Sequence, residues 1–153
     1  MEHSIVIKKE DPFSPDAKLM MDLLWEEIQA RYGFKAPNPI DQSGFAVAGA
    51  GFWVARRQDT PVGSIALTPL PPNEAEMDVM YVAPASRGTG VAQQLMQVAE
   101  QHAKENGFTL IKLRAGMPQP EALRFYEKAG FKRIPAFGKW LFDETAICFA
   151  KEV

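Results

Sequence analysis

A strand that runs into a glycine-bearing turn and then into a long helix constrains this chain more than any other feature. The stretch reads Met80-Tyr81-Val82-Ala83-Pro84-Ala85-Ser86-Arg87-Gly88-Thr89-Gly90-Val91-Ala92. The first turn of any helix carries backbone N–H groups with no partner inside the helix. They lie at the positive end of the helix dipole, an arrangement that holds a phosphate or diphosphate. Gly88 and Gly90 let the backbone bend and approach anionic oxygens with no Cβ in the way. Arg87 adds a charged donor. Two readings stay open on these residues: an anion cradle, or a tight strand-to-helix turn with an incidental arginine. No Gly-Lys-Ser/Thr follows four spacer residues, so this is not a Walker loop. Nor does it have the three glycines of a dinucleotide fingerprint near the first strand.

The rest of the chain supplies a sheet for that turn. Ser4 to Lys8 alternates loosely and predicts a first strand. Ser14-Pro15 opens a helix, with Ser14 as N-cap and Pro15 at the first helical position. Met20, Leu24, Ile28 and Tyr32 share a face of it, and Gly33 ends it. Residues 36–51 read mostly as loop with one short helix, and the proline patches at 37–39 and 69–72 as loops. Phe52 to Arg56 and Val62 to Thr68 form a hairpin joined by residues 57–61. Ala75 to Val82 is a strand flanked, not interrupted, by prolines. Val91, Leu95, Val98, Ala99 and His102 mark one face of a helix over 90–106, closed by Gly107. Leu110 to Arg114 is a strand, and residues 120–129 a helix closed by Gly130. Phe131 to Ile134 and Thr145 to Ala150 complete the sheet. This order predicts a mixed α/β (α+β) chain: a central, mostly antiparallel sheet of about seven strands with helices on both faces.

Size and charge limit the function. The chain has 153 residues, the size of one domain, so residues 1–153 are expected to act as a single unit. A net charge of -2 gives no electrostatic reason to expect nucleic acid. Cys148 is the one cysteine, so no intramolecular disulfide forms. No apolar run reaches the roughly 18 residues that span a bilayer, and Met1 to Lys9 lacks a signal-peptide layout. A cytoplasmic protein without a membrane partner is expected.

Two spaced motifs then point to one family. Val82-x-Pro84-x-x-Arg87-Gly88-x-Gly90-Val91-Ala92 resembles the signature of the GNAT acetyltransferases, with its Arg/Gln-x-x-Gly-x-Gly/Ala core at Arg87, Gly90 and Ala92. The family's second hallmark, Phe-Tyr-x-x-x-Gly-Phe, is similar to Phe125-Tyr126-Glu127-Lys128-Ala129-Gly130-Phe131. One helix and one strand separate the two, as in the family. The resemblance implies the acyl-CoA N-acyltransferase fold, acetyl-CoA as co-substrate, no metal, and a homodimer. It implies transfer of the acetyl group to a primary amine, borne by a small molecule or by a protein.

The resemblance also implies roles. The backbone of Arg87, Gly88, Thr89, Gly90, Val91 and Ala92 would hold the diphosphate of CoA. Met80, Tyr81 and Val82 would lie beside the thioester on a strand that splays from its neighbour, and a backbone N–H near Val82 would steady the oxyanion. Tyr126 would return a proton to the leaving thiolate, since a tyrosine pKa near 10 keeps it protonated. Glu76 would be the base that frees the attacking amine, with Asp78 on the same strand face as the other carboxylate. Gln119 would replace an asparagine that contacts pantetheine in many members.

Other conspicuous residues read as structure. His102 lies on an apolar helix face, and no His/Cys/Asp cluster has metal spacing. Cys148, between Ile147 and Phe149, reads as a buried thiol. Trp25 and Met20-Met21 match a packing face. Phe137-Gly138-Lys139-Trp140-Leu141-Phe142 either lines an acceptor site or covers the sheet edge. Three alternatives accompany the acetyltransferase reading: transfer of a longer acyl chain, a non-catalytic acyl-CoA-binding or sensing module, and an unrelated nucleotide-binding domain.

Overall fold

A computed structural model describes residues 4–116 and 120–153. Its strands are β1 (Ile5–Lys9), β2 (Gly51–Arg57), β3 (Thr60–Leu70), β4 (Glu74–Val82), β5 (Leu110–Gly116), β6 (Lys132–Ile134) and β7 (Ala146–Glu152). Its helices are α1 (Pro15–Tyr32), α2 (Val91–Glu105) and α3 (Pro120–Lys128). One open sheet runs in the order β1-β2-β3-β4-β5-β7-β6. All neighbours in it are antiparallel except β4 and β5, which are parallel. The expected mixed, mostly antiparallel seven-stranded sheet is therefore present.

The helix ends follow from their capping residues. The Ser14 hydroxyl oxygen accepts from the Ala17 amide at 3.1 Å, and Pro15 starts α1. Gly33 closes α1 at φ 73° and Gly107 follows α2 at φ 77°, both left-handed, where a Cβ is costly.

Side chains alternate across the strands and build a core on each face. Trp53, Ile65, Leu67, Ala75 and Met77 pack with Leu95 and Ala99 of α2 and Tyr126 of α3. Phe52, Val54 and Ala66 pack with Ala17, Met20 and Met21 of α1 on the other face. Helices thus cover both faces.

β4 breaks the alternation. Ala75 and Met77 face α2, yet Val79 and Tyr81 join the α1 core. The cause is a β-bulge. Ser64 pairs with Tyr81 and Ala66 with Asp78, so Ile65 alone is opposed by both Val79 and Met80. Val79 takes φ 44°, rare for a β-branched residue. Two polar side chains hold it there. Asp78 Oδ1 accepts from the Val79 amide at 2.9 Å, and the buried Ser64 hydroxyl donates to the Val79 carbonyl at 2.8 Å.

Two elements differ from expectation. The β2–β3 turn is two residues long, with Gln58 at φ 50° and Asp59 at φ 65°, the paired positive values of a type I′ turn. Their side chains gave no glycine signal, so a longer connection was expected. β3 also continues through Pro69 to Leu70. β2 pairs only as far as Leu67, so Pro69 has no neighbour on that side and its missing N–H costs nothing there.

Ser64→Ala leaves the Val79 carbonyl buried without its donor. We expect a loss of about 1–3 kcal/mol, read as a lower urea midpoint; an unchanged midpoint contradicts the assignment.

Candidate active site

β4 and β5 pair at only three positions, Glu74↔Leu110, Ala75↔Ile111 and Glu76↔Lys112. Beyond Glu76 the two strands part. The Ala83 amide donates to the Val62 carbonyl at 2.8 Å, toward β3. Strand alternation therefore turns the amides and carbonyls of Val82 and Met80 the other way, into the gap. A cleft of about 440 Å³ opens there, bounded by β4, the 86–93 turn, α1 and α3.

The turn has the geometry of a cradle. Gly88 stands at φ 77° and Gly90 at φ 90°, and a Cβ on either would meet nothing within 4 Å, so the space before them is open. Gly90 is the N-cap of α2 and supplies no side-chain cap, so no side chain takes up the first amides of that helix. The Thr89 hydroxyl donates back to the Ser86 carbonyl at 2.5 Å, tightening the turn. A diphosphate fits this donor set.

Arg87 is engaged otherwise than its sequence position suggests. Its Nε donates to the Val82 carbonyl at 2.9 Å, and its guanidinium pairs with Glu27 of α1. The second half of α1 presents Leu24, Glu27 and Arg31 to the cleft. Arg31 also pairs with Glu121 of α3, so two ion pairs tie α1 to the cleft's other walls.

The expected donor-side residues come together. Met80, Tyr81, Val82, Arg87, Gly88, Gly90, Val91 and Ala92 line this cleft with Tyr126, and Thr89 lies in the same turn. Gln119 lies outside the described residues. Tyr126 is buried, its ring packed edgewise on Phe125 and Phe131 and tilted on Phe149. Burial, with Asp78 adding to it, pushes its hydroxyl above the ordinary tyrosine pKa, so it stays protonated at neutral pH.

Glu76 and Asp78 stand on the opposite face of β4, before the bulge. Glu76 is only 7% exposed. Its Oε2 accepts from the Trp140 indole N–H at 3.0 Å, and Lys139 Nζ lies 3.9 Å from the same oxygen. Burial raises its pKa above the usual carboxylate range, while Trp140, Lys139 and Asp78 modify that shift, the first two downward. The loop that contains Phe137 to Phe142, open between two readings in the sequence, thus reaches the carboxylate, a contact across 64 residues that no local pattern announces.

The residues read as structural behave so. His102 stacks edgewise on Trp53, and its Nε2 lies 2.9 Å from the Gly49 carbonyl. Cys148 is buried in β7, and burial raises its thiol pKa. Trp25 packs outside the core, on Phe34, with its indole N–H on the Ala36 carbonyl.

A strand that parts from its parallel neighbour above a glycine cradle is the arrangement that the sequence resemblance implies. The model of the family described as acetyltransferase (GNAT) matches residues 17–131. The chain belongs to the GNAT acetyltransferase family. An Escherichia coli K12 relative, the uncharacterized N-acetyltransferase YjgM, is 31% identical over 71% of this chain and 72% of its own. N-acetyltransferase 8 of Mus musculus is 30% identical over 72% of this chain but 52% of its own, so the chain spans about half the length of that relative. Among solved structures, the PaiA N-acetyltransferase of Thermoplasma acidophilum, determined in complex with coenzyme A, superposes with a TM-score of 0.77. It is 20% identical and covers 98% of this chain and 99% of its own. These matches make the chain an acyltransferase of that family. Among the described residues no helix is long and apolar enough to cross a membrane.

Trp140→Phe removes a donor that lowers the Glu76 pKa. Glu76 should then titrate at higher pH than in the parent, measured by NMR of carbon-labelled glutamate carboxyls; a shift downward contradicts the contact.

Proposed function

We propose that residues 1–153 act as one enzyme that transfers the acetyl group of acetyl-CoA to a primary amine. The observation that carries this reading is the parting of β4 from β5 directly beside the uncapped N-terminus of α2. The one opening offers strand backbone for an amide-bearing arm and helix amides for a diphosphate.

Acetyl-CoA supplies the activated acyl group, and the rest falls to the chain. The amides of residues 87–92 hold the diphosphate. The backbone of Met80 and Val82 faces the gap, where it can pair with the pantetheine amides and give an N–H to the carbonyl oxygen. Engaging that backbone requires Arg87 to leave the Val82 carbonyl, and the phosphates offer it a stronger partner than Glu27. Glu76 accepts the proton that the amine must lose, and its raised pKa makes it a stronger base than an ordinary glutamate. Tyr126 lines the donor cleft and is held protonated, so it can return a proton to the thiolate.

Amine-dependent release of CoA thiol tests the whole reading. Turnover should fall by about 10²-fold or more in Glu76→Gln and in Tyr126→Phe. The wild-type rate should fall as pH drops, with an apparent pKa above that of an ordinary glutamate, because a raised carboxyl pKa means the base form is lost at higher pH. Binding of CoA without turnover across a broad amine panel would instead support a non-catalytic acyl-CoA module. Preference for longer acyl donors would support the longer-chain alternative. Glu27→Gln should tighten CoA binding by about two- to five-fold, the size of an exposed ion pair; weaker binding contradicts the competition for Arg87.

A further inference from the structure

The acidic pair on β4 already holds an ammonium ion, and it belongs to the chain itself. Lys139 Nζ lies 3.5 Å from Asp78 Oδ2 and 3.9 Å from Glu76 Oε2. It also lies 4.9 Å from the centroid of the Trp140 ring. Two carboxylates and an indole face are what a primary alkylammonium needs, charge on one side and π-density on the other. A pair of acids alone would define no ligand. The ammonium lodged between them and the indole does.

The parts of this arrangement differ in how firmly they are fixed. Glu76 is buried and takes the Trp140 indole N–H at 3.0 Å. Trp140 is braced by Arg114, whose guanidinium lies 5.1 Å from the ring centroid and is itself tied to Asp143 and Thr145. Lys139 is the loose member, with a side chain 58% exposed and contacts longer than a good hydrogen bond. Such an exposed pair is worth little and is displaced easily. Glu76 and Trp140 are thus held by contacts of their own, while the ammonium between them is held weakly.

The pair also stands at the right place in the sheet. Glu76 is the last β4 residue paired with β5, so Asp78 borders the gap that leads to the donor cleft. The charge of Asp78 is felt by Tyr126, which packs on the opposite face.

We infer that Glu76, Asp78 and Trp140 form the acceptor subsite, that it selects a cationic primary alkylamine, and that Lys139 fills it in the free protein. This rests on the acyl-transfer reading and names its acceptor. The alkylammonium displaces Lys139 and gives one proton to Glu76. Its nitrogen then bonds to the acyl carbon, the carbon–sulfur bond breaks with its electron pair going to sulfur, and the thiolate takes a proton from Tyr126. Glu76 passes its first proton to solvent and then takes the nitrogen's second, and Tyr126 regains its proton from solvent.

The test is an NMR titration with n-pentylamine, following the Trp140 indole N–H, assigned by its loss in Trp140→Phe. The amine should shift that signal and n-pentanol should not. Lys139→Met should bind the amine about two- to five-fold tighter, the worth of an exposed pair. Lys139→Arg, which keeps a cation in place, should stay near wild type, and Asp78→Asn should bind more weakly. An indole signal that ignores the amine, or an affinity unchanged in Lys139→Met, overturns the inference. Coenzyme A is titrated into the same samples. If it binds while the amine does not, the acceptor assignment alone falls; if neither binds, the donor reading falls with it.

Discussion

The bulge at Val79 governs the geometry of this molecule. A strand of period two would keep Ala75, Met77, Val79 and Tyr81 on one face and continue its ladder. Here the extra residue moves Val79 and Tyr81 into the core under α1 and leaves Glu76 and Asp78 as the last members of the earlier register. Just before the bulge, beyond Glu76, β4 stops pairing with β5. The bulge, held by Ser64 and Asp78, lies beside that gap and turns the backbone of Met80 and Val82 into it, with the carboxylates just before it.

The two sides of the gap use different chemistry. On the proposed donor side the groups on offer are main chain: the amides of the 87–92 turn and the free edge of β4. Such contacts tolerate varied side chains, which suits a fold shared with chains of about 20% identity. On the proposed acceptor side the groups are side chains from distant segments: two acids from β4, and an indole and an ammonium from the loop between β6 and β7. Those groups belong to this sequence in particular.

This division explains what the sequence disclosed. Helix ends were legible because Ser14, Pro15, Gly33, Gly107 and Gly130 act within a few residues of themselves. The cradle was legible because Gly88 and Gly90 are local signals, and the motif around Arg87, with Phe125-Tyr126 further on, gave the family. The bulge was not: nothing about a valine announces a positive φ, and its cause, the Ser64 hydroxyl, is 15 residues away. The Gln58-Asp59 turn lacked its glycine. The partners of Arg87 and Glu76 lie 60 and 64 residues distant, and no pattern within a helix or strand encodes such contacts. Glu76 was picked out by its strand, but the indole that holds it became visible only in three dimensions.

The proposed activity depends on main-chain amides of the turn gripping a diphosphate while the parted strand takes up the arm behind it. Calorimetric titration of the protein with coenzyme A, set beside pantetheine, which lacks the diphosphate, tests that dependence most directly. Saturable heat with coenzyme A and much weaker binding of pantetheine is the predicted result. No heat with coenzyme A, or equal affinity for the two, contradicts it.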